Sequence, residues 1–159
     1  MHRLVSLAVF LFLVIIATGV GGQFAGGDWY FALFKPSWTP SPVVMSAVWA
    51  FLYVLMAFSA WLVWDVMKSA AVVALSWWLL QLVLGICWSW AFFGTHHLGL
   101  SVAIVSMWLL VVLIAIRTFR SIRPVAAGLM IPLAAWLIFI GLLNFGQWQM
   151  NGGGLASVL

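Results

Sequence analysis

The sequence predicts an all-α membrane protein, a five-transmembrane-helix bundle with a long aromatic and proline-rich loop between helices 1 and 2. Three observations predict it. Only 5% of the 159 residues are charged and 67% are apolar, with a mean hydropathy of +1.26, whereas a soluble domain carries roughly 25% charged residues. Five apolar runs are each long enough to cross a hydrocarbon core of about 30 Å. The charged residues fall between these runs or at their ends. The whole chain, 1–159, reads as one transmembrane domain, with spans at about 4–22, 43–64, 71–93, 98–118 and 124–148.

The first span, Leu4 to Gly22, is 19 residues long, about 28 Å as helix. It is long for the apolar region of a signal peptide and has no clear A-x-A site behind it, so it reads as a retained span. Glycines 19, 21, 22, 26 and 27 then break the helix. From Trp29 to Pro42 a continuous helix is impossible, because Pro36, Pro40 and Pro42 lack the backbone N–H and bias their predecessors to extended geometry. Trp29, Tyr30, Phe31, Phe34 and Trp38 alternate there with Asp28, Lys35, Ser37 and Thr39. A loop so aromatic reads as a lid lying on an apolar surface.

Ser41-Pro42 starts the second span, proline suiting a first helical turn. Asp65, Lys68 and Ser69 form a short polar turn before the third span. In that span Gln81, Gly85 and Trp88 share a face, with Ser89 beside them. Gly94-Thr95-His96-His97 is the next turn, and Arg117, Arg120 and Arg123 form a basic connection after the fourth span. Pro124 opens the fifth span, in which Pro132 removes the N–H that would bond the Gly128 carbonyl, so a kink is expected. The glycine-rich tail from Gly152 to Leu159 is expected to fray.

Arg3, Lys68, Arg117, Arg120 and Arg123 fall on one side of such a bundle and only Lys35 on the other. The positive-inside rule therefore puts the N-terminus in the cytoplasm, and the lid and C-terminus outside. His96 and His97 read as solvated turn residues on the cytoplasmic side, across the membrane from the lid. Asp28 and Asp65, the only carboxylate side chains, fall on opposite sides, so no acid–base pair is available for hydrolysis. The net charge of +4 is too thinly spread for nucleic acid, and lone Cys87 supports neither a disulfide framework nor a cysteine metal site. Of 12 tryptophans, Trp64, Trp77, Trp108 and Trp148 read as interfacial anchors. Mid-helix Trp49 and Trp136 do not.

Trp49, Tyr53 and Met56 recur at i, i+4 and i+7 and so share a face. Such a stripe is either helix–helix packing or the wall of a pocket under the lid. Trp136 and Asn144 share a face of the fifth span. Flat indoles with a few convergent polar groups suit a planar, mostly apolar ligand, and Gly85 adds room by having no side chain. Asn144 and Asn151 should face the bundle or a ligand, since an unpaired amide is costly in hydrocarbon; Asn151, at the helix end, also reads as a solvated residue. Gln81 reads as an interhelical hydrogen bond or a pocket residue.

Several of these residues carry a resemblance: Trp29-Tyr30, Leu33, Lys35-Pro36-Ser37-Trp38-Thr39-Pro40, then Trp49, Leu52-Tyr53 and Met56. Gln81-Leu82, Trp88-Ser89, Phe92-Phe93-Gly94, Pro132, Trp136, Leu143-Asn144, Trp148 and Asn151 extend it over nearly the whole chain. The pattern resembles the tryptophan-rich sensory protein family, also called the translocator protein or peripheral benzodiazepine receptor family. The resemblance implies a five-helix bundle, usually a homodimer, that binds porphyrins, haem and related tetrapyrroles and, in some members, sterol-like molecules. Light-dependent porphyrin breakdown is ascribed to some bacterial members. This chain departs from the family pattern at Pro40-Ser41-Pro42, where prolines are usually adjacent, and at Gly85, usually Asn. Phe145 and Gln149 stand where the sterol-recognition motif of animal members needs Tyr and a basic residue.

The resemblance and the residues together lead to an expected receptor or translocator for tetrapyrroles in a bacterial cell membrane, needing no cofactor and no metal. Its expected ligand-binding residues are Tyr30, Trp38, Pro40, Trp49, Tyr53, Gly85, Trp88, Ser89, Trp136 and Asn144. The alternatives are an enzyme degrading porphyrin in light through Trp49 and Trp136, and a dimeric membrane scaffold. Small residues at Ala70, Ala74 and the Gly85/Ser89 pair are candidates for a homodimer contact, with Gly85 assigned to the pocket. Trp108, away from the matched motif, is expected to be irrelevant to binding.

Overall fold

The computed structural model describes residues 2–24, 27–66 and 69–152. Six α-helices follow one another: α1 His2–Gly22, α2 Asp28–Ala32, α3 Pro42–Trp64, α4 Ser69–Ser89, α5 Leu98–Ile122 and α6 Pro124–Met150. All but α2 are long and apolar enough to cross a membrane. These five helices cover the stretches expected as spans, with ends displaced by a few residues. Arg117 and Arg120 belong to the last turns of α5, leaving Arg123 as the residue between helices. Lys68, Gly26 and the tail beyond Gly152 lie outside the described residues, as does the side chain of Ala70.

Local chemistry sets the boundaries. Ser41 caps α3, its hydroxyl accepting from the Val44 amide at 3.4 Å, while Pro42 takes the first turn, where no N–H is needed. Pro124 starts α6 in the same way. Pro132 lies inside α6, which continues as helix to Met150. The expected lid contains a one-turn helix, α2, entered through Gly27 at φ 93°, a left-handed conformation that favours glycine.

The spans form a ring in which α1 packs on α3, α3 on α6, α6 on α5, α5 on α4, and α4 back on α1. At one end Asp65 pairs with Arg3 at 2.8 Å and Arg123 at 3.8 Å, and the Trp61 indole N–H donates to the Arg3 carbonyl at 3.0 Å. These contacts gather the N-terminus, the second connection and the fourth. Next to them the Ser59 hydroxyl donates to the Ala126 carbonyl at 2.7 Å, removing a polar group from lipid.

The placement of His96 is a correction. Trp29 of the lid stacks on the His96 ring, with centroids 4.1 Å apart and 18° between planes. Each span crosses once, so the turn after the third span returns to the end that carries the first connection. His96 and His97 therefore sit beside the lid, not across the membrane from it. Before that turn α4 continues as a π-helical segment, Trp90–Gly94, with the Thr95 amide donating to the Trp90 carbonyl at 2.9 Å. Inserting one residue into a helix re-aims the side chains that follow, here Phe92 and Phe93, which pack with Tyr30.

Of the small residues expected at a dimer contact, Ala74, Gly85 and Ser89 are used inside the protomer. Ala74 is fully buried. Ser89 donates to the Gly21 carbonyl at 2.6 Å and so joins α4 to α1. Gly85 faces α5.

Candidate ligand-binding site

A cavity of about 480 Å³ lies where α1, α3 and α4 meet beneath α2, within the usual range for small-molecule sites. Tyr30 and Phe31 form its roof, and Met45, Trp49 and Tyr53 its α3 wall. Trp88 and Ser89 supply the α4 wall. The exposed lining residues are Thr18 and Gly22 on α1, Phe31 on α2, and Pro42, Ser46 and Ala50 on α3. The mouth therefore opens between α1 and α3, where the exposed side chains Thr18, Ser46 and Ala50 are small, and reaches up to Phe31 at the edge of the lid.

Trp49 is central to the aromatic framework. Its ring meets Tyr53 at 6.0 Å, Trp88 at 6.0 Å, Trp108 at 5.6 Å and Trp136 at 6.2 Å. Trp49 and Trp108 are nearly parallel, 8° apart, and Trp88 leans on both, so three indoles form one cluster at the inner end of the cavity. Among the described residues no charged side chain lines it. The Trp88 Nε1–H is buried without a partner, a donor that an acceptor on a ligand could satisfy. Burial pushes the Tyr30 phenol above its ordinary pKa, so it stays a neutral hydroxyl throughout the physiological range.

The expected site residues divide into groups. Tyr30, Trp49, Tyr53, Gly85, Trp88 and Ser89 come together around the cavity. Trp136 stands behind Trp49, touching it edge-on and stacking on Phe139 at 4.9 Å, and does not line the cavity. Trp38 packs on Phe139 at 5.6 Å on that same α6 side, and Pro40 does not line the cavity either. Asn144 is buried between α5 and α6, its amide donating to the Ser101 hydroxyl at 3.4 Å.

Two residues carry more than their sequence context suggested. Asn151 is more than a solvated end residue. Its carboxamide accepts from the Phe34 amide at 3.0 Å and donates to the Phe34 carbonyl at 2.8 Å, clamping the lid to α6. The lid is seated further by Pro36, which packs against α6 where Gly146 has no side chain. Trp108 is the second. It is not an interfacial anchor but a 1% exposed residue of the cavity wall. Its indole N–H donates to the Gln81 carboxamide at 3.0 Å, which makes Gln81 an interhelical partner. The ring fills the space that Gly85 leaves: a Cβ there would lie 2.9 Å from it. Gly85 therefore enlarges nothing, because the room it vacates is occupied by Trp108. The signal available in the sequence was the departure at Gly85 itself. Nothing in spacing linked it to a residue 23 positions on.

Comparison with known proteins adds a second line of support. A sequence model of the TspO/MBR family matches residues 7–149. Protein CrtK of Rhodobacter capsulatus is 33% identical over 149 residues, covering 92% of each chain. The translocator protein of Homo sapiens is 37% identical over 142 residues, 84% of this chain and 83% of its own. The tryptophan-rich protein TspO of Chlorobaculum tepidum is 31% identical over 155 residues, 94% of this chain and 98% of its own.

Proposed function

The chain belongs to the TspO/MBR family, and from that premise we propose that this integral membrane protein is a receptor or translocator for planar tetrapyrroles, porphyrin or haem. One observation carries the reading: Trp49, Trp88 and Trp108 cluster at the inner end of a cavity that has no charged wall and is roofed by Tyr30 and Phe31. A conjugated plane gains burial and stacking there, and its polar edge meets the Trp88 N–H and the tyrosine hydroxyls. A charged edge group would stay at the mouth.

Absorbance of the purified protein with protoporphyrin IX, in the dark and under illumination, tests this. Binding gives a saturable, shifted band that is stable in both conditions. An unshifted spectrum at all protein concentrations overturns the reading and favours a scaffold. A light-dependent product would instead favour chemistry at the cavity, for which the contact between Trp49 and oxidisable Trp136 is the relevant feature.

We further propose that the end holding Arg3, Asp65 and Arg123 faces the cytoplasm of a bacterial cell. A cysteine introduced as Ser37→Cys should react with a membrane-impermeant thiol reagent in cells with a permeabilised outer membrane. Ser121→Cys should not react, and the opposite pattern reverses the orientation. A homodimer in this reading uses faces other than Ala74, Gly85 and Ser89. A monomeric native mass in both mild detergent and nanodiscs would argue against it.

A further inference from the structure

We propose that Trp108, admitted by Gly85, is a specificity-determining residue that closes the deep end of the cavity and sets how far a planar ligand can enter. This rests on the planar-ligand reading above. The lining grades from exposed residues at the mouth, Thr18, Gly22, Ser46 and Ala50, to Trp108, which is 1% exposed. A ligand entering between α1 and α3 therefore meets the Trp108 end last.

Three contacts hold that stop in place. Gln81 and Gly85 are one helical turn apart on α4 and share a face. Gln81 grips the indole N–H at 3.0 Å, and Gly85 clears the space for the benzo ring, which a Cβ would approach at 2.9 Å. No real Cβ sits so close, so a side chain at 85 and an indole in this position are mutually exclusive. The far face of the ring is fixed by Trp49, 8° from parallel. With three sides held, the indole is a rigid wall rather than a mobile flap.

The consequence is size selection. The cavity of about 480 Å³ is in the lower half of the range for small-molecule sites. Depth at its inner end then decides whether a four-ring macrocycle seats fully or only by one edge. A smaller, three-ring plane already fits, and gains nothing from a deeper cavity.

The test compares the parent, Gly85→Ala, Trp108→Leu and the double variant, using protoporphyrin IX and the three-ring dye acridine orange as probes. Trp108→Leu should raise the ratio of protoporphyrin to dye affinity by about tenfold, a step of ~1.4 kcal/mol. Gly85→Ala alone should lower the melting temperature, and Trp108→Leu should abolish that penalty. An unchanged affinity ratio in Trp108→Leu overturns the specificity role while leaving the planar-ligand reading intact. An equal penalty of Gly85→Ala in both backgrounds overturns the Gly85–Trp108 coupling. If the parent binds neither probe, the planar-ligand reading fails first, and the melting cycle would then define a packing pair only.

Discussion

Trp49→Ala is expected to weaken protoporphyrin IX binding by about ten- to a hundredfold while the protein remains folded. The magnitude follows from what the indole offers. One aromatic contact contributes roughly 0.5–1.5 kcal/mol beyond burial, and burying an aromatic side chain against a partner is worth about 1.5–3 kcal/mol. A loss near 1.4–2.8 kcal/mol is one to two decades in affinity. Trp49 also orients Tyr53, Trp88 and Trp108 by direct ring contact, so its removal loosens the rest of the wall. Trp49→Phe should retain most of the binding, because a flat ring persists. Fluorescence titration measures this, with Trp64→Ala as the control. Trp64 is 47% exposed at the opposite end of α3 from the lid, and that variant should bind as the parent does. Parent-like affinity in a folded Trp49→Ala protein would reduce Trp49 to a packing residue and move the site elsewhere.

The second large effect concerns stability. Trp78→Ala should destabilise the bundle by about 3–5 kcal/mol, the range for a buried aromatic cut to alanine. The Trp78 side chain is fully buried, its N–H donates to the Met56 carbonyl at 3.0 Å, and Phe10 meets its ring edge-on at 5.4 Å. One residue of α4 thus joins α3 and α1, the two helices that part to form the cavity mouth. Lipid tails cannot follow into the gap, so the lost packing has no substitute. At about 2–4 °C per kcal/mol for a chain of this size, the melting temperature in detergent should fall by roughly 6–20 °C. Trp78→Phe keeps most of the volume and loses the hydrogen bond, about 1 kcal/mol, so its shift should be several-fold smaller. A fall of less than about 2 °C in the alanine variant would mean that the three helices are held together by other contacts.

Much of the fold was legible because the bilayer is a severe filter. With so few charged residues the apolar runs could only be spans, and Ser41-Pro42 and Pro124 mark helix starts through backbone chemistry that needs no tertiary partner. The stripe of Trp49 and Tyr53 was also legible, since i, i+4 spacing puts both residues on one face whatever lies opposite. The sequence could not say what lay opposite. Trp136 shares the aromatic character of Trp49, yet it stands behind Trp49 rather than across a shared space.

By itself, then, the sequence determined the class, the spans, the aromatic lid and the α3 face, because each depends on local periodicity, on backbone constraints or on the cost of polarity in lipid. The tertiary structure decided which indoles meet and which space stays open. Trp108 passed for an interfacial anchor until the α4–α5 contact placed its ring over Gly85. Asn151 passed for a solvated end residue until the lid folded back onto it. His96 lies at the lid's end by the count of spans alone; its stacking on Trp29 needed the turn after α4 to be set beside α2. The physical reason is common to all three: volume exclusion and hydrogen-bond pairing between residues distant in sequence depend on helix rotation and packing distance, and single-chain periodicity carries neither.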